Sequence, residues 1–123
     1  MLKNSLQMLL KKNLNEGTSH WFNQRVSSVI LIPLTVIFIF TFIHNVGLGY
    51  EKNMNFYKNP VSAFFTFLFI YLTLLHFKQG AQVVIEDYIE DKMVNRVLLI
   101  INVILFWVMN LLVVFSFAKL VFE

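Results

Sequence analysis

Three long apolar stretches, residues 26–49, 61–85 and 97–120, organise the chain, with short polar segments between them. Each stretch has about the 20 residues that a helix needs to cross a hydrocarbon core of roughly 30 Å. Pro33 falls about two turns into the first, where neighbouring groups can satisfy the carbonyl it frees. Gly47 and Gly49 mark the end of that span, and Pro60 stands where a proline suits the first turn of the next. Residues 50–59 and 86–96 read as short loops joining antiparallel neighbours. Ahead of the spans, residues 1–24 are polar and basic, with Leu2, Leu6, Leu9, Leu10 and Leu14 near helical spacing, which predicts a short helix lying on the membrane surface. Lys3, Lys11 and Lys12 also suit a targeting segment, but this stretch has no arginine, little serine and no small-residue cleavage site. The fold class expected is an all-α membrane protein of three transmembrane helices, residues 1–123 forming a single transmembrane domain.

Composition sharpens this picture. With 58% hydrophobic and 14% charged residues in 123, a soluble fold of this size could not hide its apolar surface. Cysteine is absent, which excludes disulfides, iron–sulfur ligation and thiol catalysis. A net charge of +3, scattered along the chain, gives no basic patch for nucleic acid. Phe contributes 14 residues, mostly inside the apolar runs as lipid-facing bulk. The basic residues set an orientation. Lys3, Lys11, Lys12, Arg25, Lys92 and Arg96 gather on one side, against Lys52, Lys58 and Lys119 on the other. The excess places the N-terminus and second loop on the cytoplasmic or matrix side and Glu123 outside.

Ionisable groups inside a bilayer are costly and usually mark function. His44 lies about 27 Å beyond Val26, close to the outer face, where an interfacial histidine meets water. His76 lies about 24 Å from Pro60, within the inner half of the second span. At about 100° per residue, His76, Gly80, Val83 and Asp87 form one stripe. Histidine with glycine one turn on suits a flat macrocycle, since the missing side chain lets a ring approach the backbone; a hydrogen bond between helices is the other reading of His76. A bis-histidine haem needs a second ligand, and neither His44 nor His20 stands at the depth of His76, so a partner chain would supply it. Lys78 points to the opposite side and is expected to snorkel to inner headgroups. Trp21 suits the headgroup level, and Arg25 stands at the inner threshold on the same side as Asp87. Arg25 either anchors to lipid phosphate or pairs with an acidic cofactor group such as a haem propionate.

His76-x-x-x-Gly80 followed by Val83-Val84-Ile85-Glu86-Asp87-Tyr88 resembles the signature of the small, D-type hydrophobic anchor subunit of succinate dehydrogenase, respiratory complex II. Ser19-His20-Trp21 with Gln24-Arg25-Val26 is similar to the first-helix entry of its alphaproteobacterial and mitochondrial branch, so the resemblance runs from about Gly17 onwards. Two departures stand out: Phe77, Lys78 and Gln79 follow the histidine where small residues are common, and Ser27-Ser28 replaces a threonine-glycine type of step. The resemblance implies a non-catalytic inner-membrane subunit, half of a heterodimeric anchor bundle, that helps pass electrons to quinone. It implies His76 as axial ligand of a haem b shared with a second, cytochrome b556-type anchor subunit, with Gly80 and Arg25 near the haem. Asp87 and Tyr88 would border ubiquinone, and the iron–sulfur and flavoprotein subunits would dock on the inner face. Competing readings are a fumarate reductase anchor, a small proton-coupled transporter using His76, Lys78 and Asp87, and a cofactor-free assembly subunit. A transporter predicts polar residues through several spans, whereas the third offers Asn102, Asn110 and Ser116, which suit helix packing.

Overall fold

Four helices follow one another: α1 (Leu2–Val46), α2 (Tyr50–Lys58), α3 (Pro60–Tyr88) and α4 (Lys92–Phe122). They belong to a computed structural model that describes residues 1–122, the side chains of Asn13 and Leu14 excepted. Leu14 of the expected leucine stripe and the terminal Glu123 therefore lie outside the described residues. Three helices, α1, α3 and α4, are long and apolar enough to cross a membrane, as the hydrophobic runs predict.

The polar flanks differ from expectation. The N-terminal segment and the first span form one 45-residue helix, passing through Pro33 and unbroken near Gln24. At 1.5 Å per residue it is about 67 Å long, roughly twice a hydrocarbon core, so its polar first half runs on beyond the apolar second half. The first connection is helical as well. Gly47 caps α1, Gly49 takes a left-handed φ of 80°, and the chain re-enters a nine-residue helix instead of a loop. Within α2, Asn53, Met54, Phe56 and Tyr57 are half-buried, and the helix contacts α1, α3 and α4 at their common end.

Helix boundaries follow from side-chain caps. The Asn59 side chain accepts a hydrogen bond from the Val61 amide at 2.9 Å, and Pro60 occupies the first turn of α3. At the other end only Ile89, Glu90 and Asp91 separate α3 from α4. Asp91 Oδ1 accepts from the amides of Met93 and Val94, both at 2.9 Å, meeting two orphan donors of α4 with a negative charge at its positive end. Asn95 Nδ2 donates back to the carbonyls of Ile85 and Ile89, each at 3.0 Å, and so closes the last turn of α3. Hence the loop expected over residues 86–96 shrinks to three residues: Glu86 and Asp87 ride on α3, while Asp91 caps α4.

The helix α3 packs on both α1 and α4, and no contact joins α1 to α4 among the described residues. The spans stand as an open row with α3 in the middle. Their interior is unlike that of a soluble protein. Among the described residues Leu34, Ala63 and Phe106 are the buried hydrophobics, against the buried polar residues Ser27, Asn45, Asn102 and Asn110. Lipid gives apolar side chains no reason to leave it, so close approach and hydrogen bonds hold the helices together.

Candidate functional site

Running antiparallel, α1 and α3 bring their polar residues to one level. Ser28 lies 18 residues before Val46, about 27 Å from the α2 end, and His76 lies 16 residues after Pro60, about 24 Å from that end. Across the seam Ser28 Oγ is 3.4 Å from His76 Nδ1. One position back, buried Ser27 is 3.5 Å from Gln79 Oε1. Both serine hydroxyls also reach the Gln24 carbonyl at 2.8 Å, the back-bonding that serine makes in a helix. Serines and a glutamine thus pin the histidine of α3 to α1, the role a helix-packing reading gives it. His76 itself stays half-exposed, and its only hydrogen bond among the described residues is the one to Ser28.

One turn on, Gly80 faces open space: a Cβ built there would meet nothing of this chain within 4 Å. Further along the stripe Asp87 is exposed at the turn end of α3, and its neighbour Tyr88, off the stripe, is exposed at 78%. Arg25 is exposed one turn from Ser28, its guanidinium 5.4 Å from the centroid of the Trp21 ring. No ion pair joins it to Asp87 among the described residues. The structure therefore brings His76, Ser27, Ser28 and Gln79 together, keeps Gly80 clear beside them, and leaves Arg25, Asp87 and Tyr88 around the same end without mutual contact.

Lys78 departs from expectation. Rather than reaching for headgroups, its ammonium sits 5.0 Å from the centroid of the Phe106 ring on α4. Helical side chains lean towards the N-terminus of their helix, and the N-terminus of α3 is the α2 end, so Lys78 points back into the apolar region. A cation over a ring face is stabilised there by the ring's quadrupole. The Lys78 carbonyl accepts from Asn102 Nδ2 at 2.9 Å, which locks α4 to α3 at this level. The remaining polar groups of α4 bond within their own helix, Asn110 to the Phe106 carbonyl and Ser116 to that of Leu112.

A family model described as the succinate dehydrogenase/fumarate reductase transmembrane subunit matches residues 3–115. The chain belongs to this family. The succinate dehydrogenase hydrophobic membrane anchor subunit of Paracoccus denitrificans is 29% identical over 106 residues, 86% of this chain and 81% of that protein. The same-named subunit of Rickettsia prowazekii is 32% identical over 69% of this chain and 68% of its own. The succinate dehydrogenase membrane anchor subunit of Reclinomonas americana is 25% identical over 62% and 66% respectively. No solved structure gives a significant match. For a succinate dehydrogenase/fumarate reductase transmembrane subunit, the residues that sequence reasoning passes over are Ser28 and Gln79. Both stand at positions that depart from the resembled pattern. Helix bounds supply what the apolar runs alone do not: counted from the α2 end, Ser28 is about 27 Å deep and His76 about 24 Å.

Proposed function

We propose that this chain is a membrane anchor subunit of succinate dehydrogenase, contributing one axial ligand to a haem b and one wall to a ubiquinone site. Family membership supports the anchor role, and the relatives named above are anchor subunits of that enzyme. The observation that carries the cofactor reading is the strip formed by half-exposed His76 and the open face of Gly80 on α3. A flat macrocycle needs both, an imidazole nitrogen available to the iron and backbone close enough to lie against. His76 would hold the iron, Gly80 would border the ring, and Arg25 would pair with its propionates. The chain's other histidines, His20 and His44, stand at other depths than His76, so the second axial ligand would come from a partner anchor chain. When bound, haem b supplies a one-electron relay position beside the quinone. Tyr88 offers the quinone a neutral phenol donor, and exposed Asp87 can exchange protons with water. The orientation follows the charge bias. The turn end of α3, with Asp87 and Tyr88, faces the cytoplasm or matrix, where the iron–sulfur and flavoprotein subunits would dock.

The transporter reading loses ground on α4, where Asn102, Asn110 and Ser116 each donate to a helix carbonyl. The test is purification of the assembled complex through a tag on this chain. The expected result is co-purification of a second anchor, an iron–sulfur and a flavin subunit, with an unsplit b-type visible band. An assembled complex without that band overturns the haem role. The orientation is checked by cysteine labelling, with N55C expected to react from the outer side and D91C from the inner.

A further inference from the structure

We infer that Ser28 is a positioning residue for His76: its hydroxyl oxygen accepts the Nδ1 proton and so leaves the Nε2 lone pair free for iron. This rests on the haem reading above. A serine hydroxyl has one hydrogen to give and two lone pairs to offer. Ser28 has two neighbours for that hydrogen, the Gln24 carbonyl at 2.8 Å and His76 Nδ1 at 3.4 Å. The shorter contact is at the usual length for a hydroxyl donor and the longer is well beyond it, so the hydrogen goes to Gln24. What Ser28 turns to His76 is then a lone pair.

The Gln24 carbonyl is approached by two hydroxyls, those of Ser27 and Ser28, each at 2.8 Å. Its two lone pairs can accept from both. With Nδ1 carrying its proton, a neutral imidazole has its basic nitrogen at Nε2. Had Ser28 donated instead, the proton would sit on Nε2 and block ligation. Coordination of a cation at Nε2 makes Nδ1–H a stronger donor, which favours shortening of the 3.4 Å contact. Ser28 thus acts on the metal through the histidine: it fixes the tautomer, holds the ring's rotation against α1, and raises ligand basicity.

The experiment uses the whole complex with Ser28→Thr, Ser28→Val and Ser28→Ala. Thr keeps the hydroxyl, and the chain already accepts threonine with the same back-bond in this helix, Thr35 donating to the Leu31 carbonyl at 2.7 Å. Val has the shape of Thr without the acceptor, and Ala removes it with least disturbance of packing. Haem per flavin and the haem midpoint potential are measured by optical redox titration, together with the low-spin EPR signal. S28T is expected to match wild type. S28V and S28A are expected to lose about tenfold of their preference for ferric over ferrous haem, a rise of about 59 mV, with weaker haem retention. Thr and Val variants that behave alike, whether both normal or both shifted, overturn the role of the hydroxyl. A wild-type complex lacking the b-type band overturns the haem reading and this role with it. A normal wild-type band with unshifted S28V and S28A overturns the Ser28 role alone.

Discussion

The seam between α1 and α3 is made of two unlike halves. Towards α2 it is aromatic: Phe38 of α1 stacks on Phe69 of α3 with centroids 4.4 Å apart and planes within 13°, and Leu34 is buried close by. Towards the α3–α4 turn it is polar, with Ser27 and Ser28 facing Gln79 and His76. The same two helices therefore use non-specific contact at one level and atom-to-atom pairing at another. Stacked rings tolerate small slips along the helix axis. A hydroxyl and an imidazole nitrogen do not. The aromatic half supplies adhesion and the polar half supplies register, which is where a ligand with a demanding geometry would be placed.

That division can be broken from its polar side first. His76→Ala is expected to abolish the low-spin haem signature, whereas His44→Ala, at the exposed α2 end of α1, leaves it intact; optical and EPR spectra of the two complexes decide this. Gly80→Leu is expected to lose most of the haem while the chain still inserts and assembles, since a Cβ there meets none of this chain's own atoms within 4 Å. Haem per flavin in the assembled complex measures it. Tyr88→Phe is expected to cut succinate–quinone activity several-fold while succinate oxidation by a soluble dye, which bypasses the proposed quinone pocket, continues. Equal loss of both activities would point to assembly, and loss of neither would remove Tyr88 from the quinone site. On the aromatic side, Phe38→Ala is expected to lower stability in detergent by about 1 kcal/mol, the worth of a ring pair, with an unchanged haem spectrum. Gln79→Leu should have the smallest effect, about 0.6 kcal/mol for one membrane hydrogen bond.

Much of this arrangement is legible in the order of residues. Lipid punishes unsatisfied backbone, so a chain crosses it as helix wherever an apolar run is long enough, and hydropathy alone marks the three spans. Pro60 beside Asn59 reads correctly as a helix start, and the stripe from His76 to Asp87 follows from helical geometry alone. Residues 50–58 are harder. Their lysines, glutamate and asparagines look like a loop, and only the spacing of Asn53, Met54, Phe56 and Tyr57 signals one sheltered face. The unbroken passage of α1 through Gln24 is hidden by a change in composition without any helix breaker. Lys78 misleads because its depth alone suggests snorkelling, whereas the lean of α3 side chains carries it the other way. Most telling is Ser28. A small polar residue in a span reads as a packing detail until the antiparallel neighbour at its depth turns out to be a histidine.

The absence of contact between α1 and α4 among the described residues bears on the life of a newly made chain. A closed three-helix bundle would be a finished object, indifferent to whether its partners ever arrive. Here α3 is flanked but not enclosed. Yet the latches that set its register, Ser28 to His76 on one flank and Asn102 to the Lys78 carbonyl on the other, are internal to the chain. A freshly inserted subunit can therefore wait in the bilayer with its helices aligned and one side unclaimed. The side left open is the one that another subunit of the complex can cover.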